Sequence, residues 1–237
     1  RQRYWKNLNV QSFSGLAGGT YRTSWAYITL SGAGSHMRLS GHTYLRQLTG
    51  RLKVEHEVNP RFKVYLQGEK GYQKFEPVPD SQVARFRRGP FWNVTGGFNW
   101  AMTPSQQLAL SATHQRKFAY QHYYGYRRYE ANASHTLLLG RGQFLITNLV
   151  LGLDTYQQAD TFISNTFRVD RNLRARMTYG APLSFFNGQI TDKPLPLGIG
   201  ELVLTVTGEH YRSISNVRNY DYENQKIQTL LTKTWNF

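Results

Sequence analysis

Much of this chain is written as long stretches that are apolar at every second residue, with polar or charged side chains between them. The clearest runs from Phe91 to Met102, where Trp92, Val94, Gly96, Phe98, Trp100 and Met102 alternate with Asn93, Thr95, Gly97 and Asn99. Successive side chains of a strand point to opposite faces, so this period of two places the apolar set on one side of a sheet and the polar set on the other. The same pattern sets Phe62, Val64 and Leu66 against Lys63, Tyr65, Gln67 and Glu69, and Leu48, Leu52, Val54 and Val58 against Arg51, Lys53, Glu55 and Glu57. It returns in Leu149, Leu151 and Leu153 against Asn148 and Asp154, and in Leu173, Ala175 and Met177 against Asp170, Asn172, Arg174 and Arg176.

Length separates the readings of this pattern. The alternating stretches run to roughly 12 to 15 residues, beyond the ~5–6 of an ordinary globular strand and enough for the ~9–11 that a tilted membrane-crossing strand requires. No uninterrupted apolar run reaches the ~20 residues of a membrane helix, in keeping with a mean hydropathy of −0.55. A soluble sandwich or lipocalin-like barrel would also alternate, and is the plainer alternative. The connections argue against it. Asn59-Pro60, Thr103-Pro104-Ser105 and Gly140-Arg141-Gly142 read as tight turns, whereas 74–89, 118–126, 156–164 and 213–224 read as longer loops. Short turns at one end and long loops at the other are the asymmetry of outer-membrane barrels, and the aromatics near strand ends, such as Tyr120, Tyr124, Trp100 and Trp235, suit two interfacial girdles.

The sequence therefore predicts an all-β, transmembrane, antiparallel up-and-down barrel in the bacterial outer membrane. The predicted strands lie near 4–14, 22–32, 43–58, 61–73, 90–102, 106–118, 127–139, 142–156, 165–179, 200–213 and 225–237. Single-chain bacterial barrels have even strand numbers, so about twelve is expected, with ten or fourteen as the neighbouring counts. Residues 1–237 read as one barrel domain, either as it stands or with an N-terminal periplasmic domain missing.

Charge is the next constraint. The chain carries 29 Lys and Arg against 14 Asp and Glu, a net +15 that would ordinarily suggest nucleic acid. Strand parity argues otherwise, because the inward positions balance. Arg51, Lys53, Lys63, Lys117, Arg128, Arg168, Arg174 and Arg176 share that side with Glu55, Glu57, Glu69, Glu130, Asp154, Asp170, Glu201 and Glu209. These read as a lumen ladder of opposite charges, and the positive excess falls on rims and loops. Arg85, Arg87 and Arg88 form the densest loop cluster, suited to an anion-selecting constriction, to an acidic partner, or to bridging lipopolysaccharide phosphates. An unpaired row of Arg168, Arg174 and Arg176 would favour anion passage. On the opposite, periplasmic side, Pro182, Phe185, Phe186, Pro194 and Pro196 lie in a long apolar segment suited to docking a periplasmic partner or cargo, or to plugging the barrel.

Catalysis is not expected. The histidines His56, His114, His135 and His210 fall on the outward parity near strand ends, and no nucleophile, base and orienting group stand at recognisable spacing. No cofactor or metal is expected either. The expected surroundings are outer-membrane lipid and lipopolysaccharide, with a periplasmic or surface protein as partner or cargo.

One resemblance goes further. The run Glu209-His210-Tyr211-Arg212-Ser213-Ile214-Ser215-Asn216, then Asn219-Tyr220-Asp221-Tyr222-Glu223-Asn224-Gln225-Lys226 and the closing Thr234-Trp235-Asn236-Phe237, resembles the carboxy terminus of the surface lipoprotein assembly modulator (Slam) barrels. That resemblance covers the last part of the chain only. It implies export of lipoproteins or other proteins to the cell surface. The family carries a periplasmic tetratricopeptide domain and usually more strands, and no ~34-residue helical repeat is visible here. A narrow anion-preferring porin and a non-conducting anchor of a larger envelope complex are the alternative functions.

Overall fold

The structure is a computed structural model that describes residues 9–78, 82–185 and 202–233. Eleven strands form one antiparallel sheet whose spatial order follows the sequence. They are β1 (Val10–Arg22), β2 (Tyr27–Leu39), β3 (His42–Asn59), β4 (Phe62–Phe75), β5 (Gly89–Thr103), β6 (Gln106–Lys117), β7 (Tyr126–Gly140), β8 (Gln143–Tyr156), β9 (Val169–Pro182), β10 (Leu202–Ser215) and β11 (Tyr222–Lys233). No described helix is long and apolar enough to cross a membrane.

The turns explain how the register is held. Ser40 (φ 48°) and Gly41 (φ 82°) take the left-handed conformation that a two-residue hairpin between right-twisted strands demands. The Arg38 guanidinium then bonds the Gly41 carbonyl, with Nη2 at 2.6 Å. Arg141 (φ 49°) and Gly142 (φ 76°) make the corresponding turn between β7 and β8. Irregularities in the ladder sit beside these tight turns, between Met37 and Arg38, Glu57 and Asn59, Ala101 and Thr103, and Leu138 and Gly140. Bulges there re-aim the chain without disturbing the pairing of the long strand bodies.

One expectation needs correction. The first two strands are displaced from 4–14 and 22–32 to Val10–Arg22 and Tyr27–Leu39. In that region the bulky residues Val10, Phe13, Leu16 and Tyr21 do not recur at every second position, and Ser12, Ser14, Gly15, Gly18 and Gly19 fill the gaps, so hydropathy alternation places the strand poorly. What fixes it is the connection: Thr23 N donates to Ala26 O at 2.8 Å, and Ala26 N donates to Thr23 Oγ1 at 2.8 Å. The strand number among the described residues is eleven and the sheet is open, because β1 and β11 pair with β2 and β10 alone. With eleven alternating strands, β1 and β11 run in the same direction.

The sheet nevertheless curls. β4 and β10 stand six positions apart, ~29 Å across a flat sheet at ~4.8 Å per strand, yet side chains of β4 and of the segment after β10 line one cavity of about 550 Å³. The face turned to that cavity is the inward one. The opposite face carries the large apolar residues, and they are exposed: Leu48 is 70% accessible, Leu30 64%, Leu66 58% and Leu151 51%. Of the buried apolar side chains, Val78, Ala84, Phe91, Ala119 and Val217 lie at one end, under the loops, and Ala26 and Ala181 at the other.

The loop end is where the long connections collect. Segments 76–88, 118–125, 157–168 and 216–221 emerge there beside the tight turn at 40–41, while 23–26, 60–61, 104–105 and 141–142 turn tightly at the other, where β9 also connects to β10.

Candidate functional site

The inward charges form two different regions. From β3 to β8 most of them pair: Arg51 with Glu69 at 3.0 Å, Lys53 with Glu55 at 2.6 Å, Lys63 with Glu57 at 3.1 Å and Arg128 with Asp154 at 2.6 Å. Arg51 and Glu69 are direct cross-strand neighbours, as are Arg128 and Asp154, so the register itself brings opposite charges together. On β9 the pattern changes. Arg174 lies over the Tyr211 ring at 5.3 Å, and neither it nor Arg176 has an ion pair among the described residues, although Arg176 stands opposite Glu209 in the register. Glu130 has no ion pair there either.

Arg168 departs from the expected unpaired row. It is clamped to Asp170, two residues along the same face, with Nε to Oδ1 at 2.9 Å. Its guanidinium also lies between two rings, 4.3 Å from the centroid of Tyr156 and 3.5 Å from that of Tyr220. Burial works against its charge, but the Asp170 carboxylate and the neighbouring phenols outweigh it and leave its pKa above the ordinary arginine value. Burial also raises the Tyr220 phenol, and the Asp160 carboxylate raises it further.

Above these residues the loops close over the inward face. Short 3-10 helices at Gln82–Arg87, His122–Tyr124 and Arg218–Tyr220 shape them. Backbone bonds tie one loop to the next: Tyr120 N to Arg88 O at 2.8 Å, Gln121 N to Phe86 O at 3.1 Å and Gln157 N to Gly125 O at 3.0 Å. Asn216 bridges to the start of β9, its Oδ1 accepting from Val169 N and its Nδ2 donating to Phe167 O, both at 2.7 Å.

Under the loops lies a cavity of about 550 Å³. Three cations line it, Arg87, Lys117 and Arg168, with Tyr124, Tyr126, Tyr156 and Tyr220 around them and no carboxylate among the described residues of the wall. Lys117 is 4% exposed and donates to the Gly89 carbonyl at 2.9 Å, with the rings of Phe75 and Phe91 each 5.9 Å away. An ammonium carries three protons, so this one keeps donors for a further acceptor. Chemically the site offers fixed positive charge and phenol hydroxyls to a compact, oxygen-rich anion.

The predicted loop cluster is divided by this arrangement. Arg87 enters the cavity and lies 5.1 Å over Tyr124; Arg85 lies 5.2 Å over Phe86 and Arg88 4.7 Å over Tyr120. The tyrosines near 118–126 were expected in a girdle, yet Tyr124 and Tyr126 face inward. Of the predicted docking segment, Pro182 ends β9 at the tight-turn end and Phe185 follows closely, while Phe186, Pro194 and Pro196 lie outside the described residues, as do Glu201 and Trp235.

Compared with known proteins, the chain matches no protein-family model, and no curated protein resembles it significantly.

Proposed function

We propose that this chain forms most of the wall of a bacterial outer-membrane β-barrel with a transport role, and that the solute favoured at its loop end is an anion. The observation that carries this reading is the inversion of the two faces. The broad outward face exposes Leu30, Leu48, Leu66, Val94, Leu151 and Val206, whereas the inward face holds the ion pairs and the cation-lined cavity. In water such a surface would far exceed the few hundred Å² a soluble monomer tolerates; against hydrocarbon it is the expected lining.

A bilayer admits no open sheet edge, because unpaired backbone groups there cost several kcal/mol each. β1 and β11 run the same way, so antiparallel closure takes an odd number of further strands, and one gives twelve. Single-channel recording of the purified protein in planar bilayers under a salt gradient tests the function. A steady anion-selective current supports the reading, and a cation-selective or absent current from folded protein rejects it.

A second reading, Slam-like export of lipoproteins or other proteins, draws on the last hairpin. Of the residues behind that resemblance, 209–226 fall in β10, the loop at 216–221 and β11, with Arg212 opposite Glu223, and 234–237 lie outside the described residues. Surface display of a lipoprotein that depends on this chain would favour export over solute passage. The non-conducting anchor gains its support from the ion-paired half of the inward face.

A further inference from the structure

The outward face changes character in ordered steps toward the loop end of β4 to β7. Its last cationic row runs across four hydrogen-bonded strands: Lys70 opposite Trp92, Trp92 opposite Arg116, and Arg116 opposite Arg127. One step toward the middle come His114 and Tyr129, with His114 5.1 Å from the Trp92 ring and 4.7 Å from that of Tyr129. Below them lies an apolar groove of about 380 Å³, floored by Gly96, Ala112 and Ala131 and walled by Phe98, Leu110 and Leu151.

The cationic row is uncompensated. Arg116 and Arg127 face each other directly, an arrangement in which side chains stand ~4.5–5.5 Å apart and like charges repel. Neither forms an ion pair among the described residues. The acids of these strands, Glu69 and Glu130, point inward, as does Asp154 on the neighbouring β8. Arg116 Nε and His114 Nδ1 are buried without a hydrogen-bond partner, and the Arg116 guanidinium lies 4.6 Å over the Phe118 ring. Two forks at this spacing are geometrically suited to sharing one phosphate between them.

We infer that Arg116 and Arg127, with Lys70, hold the phosphate of an anionic lipid in the leaflet at the loop end, and that its acyl chain lies in the groove over Gly96, Ala112 and Ala131. The vertical order supports a lipid over a free anion. Four residues separate Arg116 from Ala112, about 13 Å along the strand, which takes the occupant from headgroup depth to hydrocarbon depth. The Trp92, His114 and Tyr129 rings stand between, where an aromatic belt sits. The inference rests on the membrane reading and adds to it a specific lipid site.

The test is to fold the protein into vesicles of phosphatidylcholine alone and of phosphatidylcholine with phosphatidic acid, following the temperature at which the folded form is lost on unboiled gels. Phosphatidic acid should raise that temperature for the unaltered chain. Arg127→Gln, which disturbs no contact under the loops, and the Arg116→Gln/Arg127→Gln pair should fold in phosphatidylcholine at unchanged temperature and lose most of the rise. Arg212→Gln, away from this row, should keep it. No rise for the unaltered chain, or an equal rise for the paired variant, overturns the inference while insertion stands. A chain that inserts into neither vesicle overturns the membrane reading and this site with it.

Discussion

Arg128 on β7 grips Asp154 on β8 through two parallel bonds, Nε to Oδ1 and Nη2 to Oδ2, both at 2.6 Å. Asp154 is 2% exposed and also accepts a bond from Asn172 Nδ2 at 3.1 Å, so the carboxylate ties three consecutive strands together. Removing one partner of such a pair leaves the other charge buried. Arg128→Met should therefore cost about 3 kcal/mol of unfolding free energy, and Arg128→Met/Asp154→Leu clearly less than the sum of the single changes. Urea unfolding of the four proteins in detergent micelles checks this through the interaction energy of the cycle.

Gly89 is held at φ +153°, where a Cβ would sit 2.1 Å from the Phe118 carbonyl oxygen. Its own carbonyl receives the Lys117 ammonium, so the backbone at this point positions a cation of the cavity. Gly89→Ala should destabilise by at least ~2 kcal/mol through strain and contact. It should also weaken binding of an inorganic anion such as phosphate, measured by calorimetry, whereas Gly68→Ala, with open space around it, should leave binding unchanged.

These two sites show what the sequence made legible and what it did not. Dyad alternation located β3 through β10 to within a few residues, because bulky and charged side chains mark the faces of strands such as Phe62–Phe75 and Tyr126–Gly140. It failed at β1, where Val10, Phe13, Leu16 and Tyr21 break the period of two among glycines and serines. The clamp of Arg168 on Asp170 was readable, since residues two apart on a strand share a face. The inward turn of Tyr124 over Arg87 was not, because it depends on how two loops pack and no local period encodes that. Neither does parity distinguish Arg174, stacked on Tyr211, from Arg51, paired with Glu69.

The Tyr220 phenol gives the loop end a pH signature. Its pKa is raised in the folded state, first by burial and then by Asp160, so the folded protein holds the proton more tightly than the unfolded chain. The stabilisation is thus fully present below about pH 10, the ordinary tyrosine value, and is lost as pH rises through the raised one. Ultraviolet titration should show a late phenolate step that Tyr220→Phe removes. Glu76 acts at the acid side: its bond to Lys74 lowers its pKa, so that tie is complete above the ordinary carboxylate range and fades as pH falls through the lowered value.

Arg174 and Arg176 offer the test of the proposed anion passage against a sealed wall. Both point inward from β9 with no carboxylate paired to them among the described residues, whereas Arg51 on β3 is neutralised by Glu69. In a narrow lumen an unneutralised cation raises the local anion concentration, and a paired one contributes little field. Arg174→Glu/Arg176→Glu should therefore abolish or reverse anion preference in bilayer recordings. Arg51→Gln/Glu69→Gln, which removes one charge of each sign, should leave the preference near its original value. Equal loss of selectivity in both variants would mean that preference arises from net folding of the wall and not from β9, and would shift support toward the anchor.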